Sequence, residues 1–204
     1  MKKIYTLTLI LAAVVAVTAA VRTTTKNGST PDAKAAVAIG SVVSDFTLPD
    51  ADGKERTLAS LKGAKGTVII FMATKCPVSN AYNERMQKLA EDYASRGVNV
   101  VGINSNVAEL APEVKEHAAE KGLKFTILKD AGNVIADRLD AQVTPEAYVL
   151  DASGKLVYHG RIDNSRAGDS ITSTELRDAV DAVLAGKAVE KTEAKAFGCS
   201  IKRG

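Results

Sequence analysis

The chain has 204 residues, a hydrophobic fraction of 46% and a formal charge of +3, from 27 Lys and Arg against 24 Asp and Glu. That is the size of one domain with accessory segments, and it holds enough apolar material for a packed core. Without Lys2 and Lys3 the balance falls to 25 against 24, which leaves no electrostatic footprint for nucleic acid or an anionic membrane, and two Cys and two His are too few for a disulfide framework or a His-rich metal cluster.

The start Met1-Lys2-Lys3 is basic, the run from Ile4 to Val21 is apolar, and small residues stand at Val17-Thr18-Ala19 and Thr18-Ala19-Ala20. This pattern predicts a signal peptide over 1–20, or an N-terminal anchor if the segment is retained. The absence of a Cys near the junction excludes a lipoprotein anchor. Either way the remainder is expected outside the cytoplasm, periplasmic or secreted, where disulfides persist. Residues 21–38 are rich in Thr, Lys, Asn, Gly, Ser, Pro and Ala and read as a disordered linker.

From there strands and helices alternate. Phe46-Thr47-Leu48, Asp52-Gly53 and Arg56-Thr57-Leu58 predict a β-hairpin. Thr67 to Ala73 reads as a buried strand. Val78, Tyr82, Met86, Leu89 and Tyr93 recur at helical spacing and predict one helix that Gly97 stops. Val98 to Ile103 is a second buried strand, and Asn106 with Glu109 reads as the capping box of a helix running to about Lys121. Phe125 to Leu128 is a third strand, followed by a short helix with Val134, Ile135 and Leu139. Ala147 to Leu150 and Leu156 to Tyr158 flank Asp151-Ala152-Ser153-Gly154 as a hairpin. A last helix opens at Thr172, three residues before Glu175, and ends at Gly186. The alternation predicts an α/β domain over 39–186, with 187–204 a charged tail of weak secondary structure that carries Cys199.

Cys76 sits where a buried strand meets a helix whose first-turn residue is Pro77. Free N–H groups and the positive end of a helix favour a thiolate there, and Lys75 adds a nearby positive charge. The expected result is a nucleophilic sulfur with a depressed pKa. The stretch from Gly186 to Gly198 spans roughly 40 Å when extended, so chain length lets Cys199 reach Cys76. Cys199 is therefore a partner for Cys76, the half of an intermolecular disulfide, or an idle thiol. His117, among Lys115, Glu116 and Glu120, reads as a solvated surface residue, and His159, near Arg161 and Asp163, as a cap of the sheet edge or, alternatively, a residue lining the groove.

Phe46-Thr47-Leu48-Pro49-Asp50, the strand-Cys76-Pro77-helix joint, Val143-Thr144-Pro145 and Tyr158-His159-Gly160-Arg161-Ile162-Asp163 together resemble the alkyl hydroperoxide reductase and thiol-specific antioxidant superfamily, over most of residues 40–185. Cys76-Pro77-Val78-Ser79-Asn80 and Phe197-Gly198-Cys199-Ser200-Ile201-Lys202 are similar to a peroxiredoxin-like redoxin branch of it. The resemblance implies a thioredoxin-like fold: a central mixed β-sheet flanked by helices, with an N-terminal β-hairpin. Two departures bear on activity. Ser79 stands where Cys-x-x-Cys has its second thiol, and Ile69 and Ala73 stand where a peroxiredoxin has Pro and Thr. Pro145 takes the place of the peroxiredoxin Arg, so Thr144-Pro145 resembles the cis-Pro loop at which a thioredoxin docks an extended substrate. Asn80, four residues after Cys76, replaces the second Cys of copper-delivery proteins, so neither a metal nor any other cofactor is expected.

These residues imply an extracytoplasmic thiol-disulfide oxidoreductase, an antioxidant-family enzyme with Cys76 as the redox-active nucleophile and Cys199 as candidate resolving thiol. Pro77, Ser79, Thr144 and Pro145 would border the substrate, with Arg161 as a further candidate. A peroxiredoxin-like thiol peroxidase is the alternative, and a non-catalytic thioredoxin-fold binding module the second. The implied partners are protein or small-molecule thiols and disulfides and an unnamed electron donor, with no nucleic acid, and a membrane only if the signal stays uncleaved.

Overall fold

A computed structural model describes residues 36–204, so the predicted signal and the linker up to residue 35 lie outside the described residues. The first tie is the Val37 N–H on the Arg138 carbonyl (3.2 Å), two residues before the predicted start of the domain.

Strands β1 (Thr47–Pro49) and β2 (Glu55–Thr57) make the expected hairpin, with Leu48 opposite Arg56. Asp50 fixes its turn, accepting from the N–H groups of Asp52 and Lys54 (3.0 and 2.9 Å) and from Arg56 Nε (2.8 Å). Gly53 supplies the positive φ of +81° that the turn demands. The chain continues through α1 (Leu58–Leu61), β3 (Gly66–Phe71), α2 (Pro77–Ala81), α3 (Asn83–Ala94), β4 (Val98–Asn104), α4 (Ala111–Glu120) and β5 (Thr126–Lys129). Then come α5 (Val134–Leu139), β6 (Val143–Thr144), β7 (Glu146–Asp151), β8 (Leu156–Gly160), α6 (Glu175–Leu184), β9 (Glu193–Ala194) and β10 (Cys199–Ser200).

The central sheet has the order β5-β4-β3-β7-β8-β9. β3 pairs parallel with β4 and antiparallel with β7, which makes the sheet mixed. Because strand side chains alternate, each strand feeds two cores. Val68 and Ile70 of β3 join Val149 of β7 under Met86, Leu89, Leu176 and Val180 of α3 and α6. Ile69 and Phe71 join Tyr148 and Leu150 on the opposite face, under Leu58 of α1 and Ile135 and Leu139 of α5. Fully burying side chains of this size stabilises by roughly 1.5–3 kcal/mol each, so β3 at the sheet centre is a rigid base for the loop that follows it.

The structure departs from expectation in five places. The single helix from Val78 is two, broken at Tyr82, whose N–H reaches back only three residues to the Ser79 carbonyl (3.0 Å). The Tyr82 hydroxyl donates to the buried Asp163 carboxylate (2.9 Å) and the Arg85 guanidinium lies over its ring (3.5 Å), which holds the break. Asn106 and Glu109 do not cap α4. That helix starts at Ala111, and Glu113 caps it by accepting from the Leu110 N–H (2.9 Å). His117 is buried rather than solvated, with Nε2 3.1 Å from Asn83 Nδ2, and burial holds its pKa below the usual imidazole value. α6 begins at Glu175, not Thr172. The tail is ordered, adding β9 to the sheet edge and β10 to β6.

Candidate functional site

Buried β3 delivers the chain into a loop, Met72 to Lys75, and Cys76 is the N-cap of α2 with extended backbone (φ −92°, ψ 115°). Pro77 opens the helix, where its missing N–H costs nothing. The Cys76 sulfur accepts from the Ser79 N–H at 3.3 Å. Since α2 has only five residues, this local N–H, more than a long helix dipole, is the favourable field at the sulfur. Ser79 is fully buried and its Oγ accepts from the Ala73 N–H (3.0 Å), so the residue in place of a local second thiol braces the loop.

A second brace was hidden in the sequence. The buried Glu109 carboxylate accepts from the N–H groups of Thr74 (2.8 Å) and Lys75 (3.0 Å), the two residues before Cys76, and from Asn104 and Asn106 Nδ2. Burial pushes this carboxyl up, but those hydrogen bonds outweigh it and hold Glu109 below the usual carboxylate range. Nothing local signals this role, because Thr74 lies 35 positions away along the chain. The Lys75 ammonium turns outward to Glu113 (3.1 Å), so the charge expected to assist Cys76 is paired elsewhere.

Facing this loop is the Thr144–Pro145 bond, which is cis. The Thr144 carbonyl oxygen lies 3.4 Å from the Cys76 sulfur. Glu146 fixes the short strand before it, accepting from the N–H groups of Gln142 (2.7 Å) and Val143 (3.0 Å) and pairing with His159 Nε2 (2.6 Å). His159, expected to cap the sheet edge or to line the groove, stacks on Tyr148 at 4.3 Å and orients Glu146.

The tail completes the site. Cys199 is bonded to Cys76, with their Cα atoms 6.0 Å apart. β10 runs antiparallel to β6, Cys199 opposite Thr144 and Ser200 opposite Val143, and the Ile201 N–H donates to the Gln142 carbonyl (2.9 Å). Cys76 is 4% exposed, while Cys199 is partly open to solvent. Cys76, Pro77, Ser79, Thr144, Pro145 and Cys199 are thus gathered at one place. Arg161 is engaged elsewhere: among the described residues its guanidinium bonds to Glu175 and Ser173. No group of three or more His, Cys, Asp or Glu among the described residues is placed to hold a metal ion.

Glu175, which holds Arg161, makes acid sensitivity testable. Burial raises its pKa, but hydrogen bonds from Arg161, Lys191, its own N–H and Ser173 outweigh this and hold it at about 2, against an ordinary 4.5. A carboxyl with its folded pKa depressed adds stability above its unfolded pKa and loses it as pH falls through the folded value. The melting midpoint should therefore drop between about pH 4.5 and pH 2, and Glu175→Gln should flatten that drop while lowering the midpoint at neutral pH. A variant with the wild-type acid profile would remove Glu175 from the explanation.

Residues 39–159 match the AhpC/TSA family. Over 123 residues, 60% of this chain and 69% of the relative, the sequence is 31% identical to thiol-disulfide oxidoreductase ResA of Geobacillus thermodenitrificans. A hypothetical protein from Sinorhizobium meliloti superposes with a TM-score of 0.77 at 38% identity, over 83% of this chain and 97% of that one. A putative thiol:disulfide interchange protein DsbE from Chlorobium tepidum superposes with a TM-score of 0.60 at 18% identity, over 73% of this chain and 99% of that one, a likeness of fold alone. The fold is the thioredoxin-like one implied by the sequence.

Proposed function

The chain belongs to the AhpC/TSA family, and from that membership we propose that it is a thiol-disulfide oxidoreductase with Cys76 as attacking sulfur and Cys199 as resolving sulfur. The observation that carries this reading is the bond between Cys76 and Cys199 beside the cis-Pro145 loop. The relationship to ResA, named a thiol-disulfide oxidoreductase, supports it.

In the reduced chain the Cys76 thiolate accepts the Ser79 N–H and attacks one sulfur of a substrate disulfide. Pro77 and Ser79 hold the sulfur at the helix start, and Thr144 and Pro145 border the substrate. The mixed disulfide is resolved when Cys199 attacks Cys76, which regenerates the bond in this structure. A thiol donor then reduces that bond, so partners are thiols and disulfides. We place the chain outside the cytoplasm, periplasmic or secreted, on its N-terminal pattern and on a pair of cysteines suited to an oxidising compartment.

A thiol peroxidase has less support. Catalysis on a peroxide needs donors fixed in advance at the developing charge. Ile69 and Ala73 supply none, and the Arg161 guanidinium is held by Glu175. Stopped-flow oxidation of the reduced protein is expected to give exchange with a model disulfide well above the rate of a free thiol. Its rate with hydrogen peroxide should stay close to a free thiolate's. Peroxide reactivity orders of magnitude above that would overturn the reading.

A further inference from the structure

Two-residue β6 has one strand partner among the described residues, and that partner is the chain's own tail. The backbone edge beside the Cys76 sulfur is therefore filled by an extended cysteine-bearing segment. We infer that Phe197–Ile201 is a tethered stand-in for the substrate: a partner protein lays an extended, cysteine-bearing segment on β6 in the place of β10, and the returning tail displaces it as Cys199 resolves the mixed disulfide. This inference rests on the exchange chemistry proposed above.

Three features describe the segment that fits. Gly198 runs so close to β6 that a Cβ built on it would fall onto the Thr144 carbonyl, so the residue before the cysteine must be small. Two positions before the cysteine, Phe197 packs beside Tyr82 with ring centroids 6.4 Å apart. Two positions after it, Ile201 is 4% exposed and belongs to the core under α5. The track thus accepts an apolar residue on either side of the cysteine at alternate positions, while main-chain pairing with β6 supplies sequence-independent affinity.

Cys199 and a substrate cysteine must each bond the same Cys76 sulfur from the same strand position, so the two segments exclude one another. The Cys76 thiolate attacks the partner's cysteine sulfur, the partner's S–S bond breaks, and its second sulfur leaves as a thiolate. The Cys199 thiolate then attacks Cys76, forming the Cys76–Cys199 bond and releasing the partner's first cysteine as a thiolate. Two electrons pass from the chain's dithiol to the partner's disulfide. Because exchange at sulfur is in line, the partner's strand leaves β6 while its cysteine is still bonded to Cys76, and the tail re-seats as Cys199 attacks from the side opposite that bond.

The test uses the full chain carrying Cys199→Ser, reduced, with synthetic peptides of residues 196–202 activated as a thiopyridyl disulfide on the cysteine. The native peptide should form the Cys76 mixed disulfide at least about tenfold faster than one with aspartate at the Phe197 and Ile201 positions, since the aspartates lose both apolar contacts and set a charge against each apolar seat. Adding Gly198→Val to the chain should speed the native peptide further, because the tethered tail no longer competes. Equal rates for both peptides, with no effect of Gly198→Val, would overturn the inference while rapid reaction with a small aromatic disulfide leaves the exchange reading standing. A Cys76 inert to the small disulfide as well would sink both.

Discussion

Cys76→Ser in the reduced chain is expected to abolish mixed-disulfide formation, whereas Cys199→Ser is expected to trap it. The asymmetry comes from the surroundings of the two sulfurs. Cys76 is the cap of a helix start, with the Ser79 N–H 3.3 Å from its sulfur and a loop held rigid by Glu109 and Ser79. That N–H stabilises negative charge on Cys76 both when it attacks and when it leaves. Cys199 lies on a two-residue strand at the protein surface with no helix start behind it. With Cys199 gone, a substrate bonded to Cys76 has no internal thiol to release it, so the adduct should persist through acid quench and appear by mass as chain plus substrate. An adduct that forms on Cys199 in Cys76→Ser and is missing from Cys199→Ser would reverse the two roles.

Loss of the Cys76–Cys199 bond should lower the stability of the fold by about 4–5 kcal/mol. The bond joins residues 123 apart, so it closes most of the domain into one loop, and cross-linking a loop of this size removes that much conformational freedom from the unfolded chain. Non-covalent contacts of the tail do not offset this, since they are made in the folded state with or without the bond. They include buried Ile201, the Lys202 N–H on Asn106 Oδ1 (2.7 Å) and Arg203 Nε on Asp137 (2.8 Å). Guanidinium denaturation with and without reductant should show the difference, and Cys199→Ser should match the reduced protein. A loss below about 1 kcal/mol would mean that the unfolded chain is not constrained by the bond in the way chain entropy requires.

What the sequence made legible was local. The β-branched run of β3, the Pro77 start after Cys76 and the Asp52-Gly53 turn each declare themselves within a few residues. The cis bond at Thr144–Pro145 and its place opposite Cys76 followed from family resemblance and agree with the structure. The break at Tyr82 was invisible because the apolar stripe keeps its spacing through it, the cause being Asp163, far along the chain. Glu109 presented the residue pattern of a cap, but a buried carboxylate bonds wherever free N–H groups converge, and here they belong to the Cys76 loop. The tail misled most. Strands of two residues have no periodicity to detect, and their partners, β8 and β6, are distant in sequence. The available sign was Phe197, Gly198 and Ile201, one small and two apolar residues clustered around a cysteine in an otherwise charged stretch.

The same tail also closes the rim of the central sheet. The His159 N–H donates to the Thr192 carbonyl (2.9 Å) and the Arg161 N–H to the Ala194 carbonyl (3.2 Å), while Gly160, without a Cβ, lets β9 lie against β8. A bare β8 would display unpaired N–H and C=O groups, a template on which strands of other molecules add. Whatever lifts residues 192–200 from their seats uncovers two pairing edges at once, β8 and β6. Colloidal behaviour is therefore coupled to the seating of the tail: with residues 192–200 in place the β8 edge is covered, and a copy cut after Gly186 would be prone to edge-to-edge self-association.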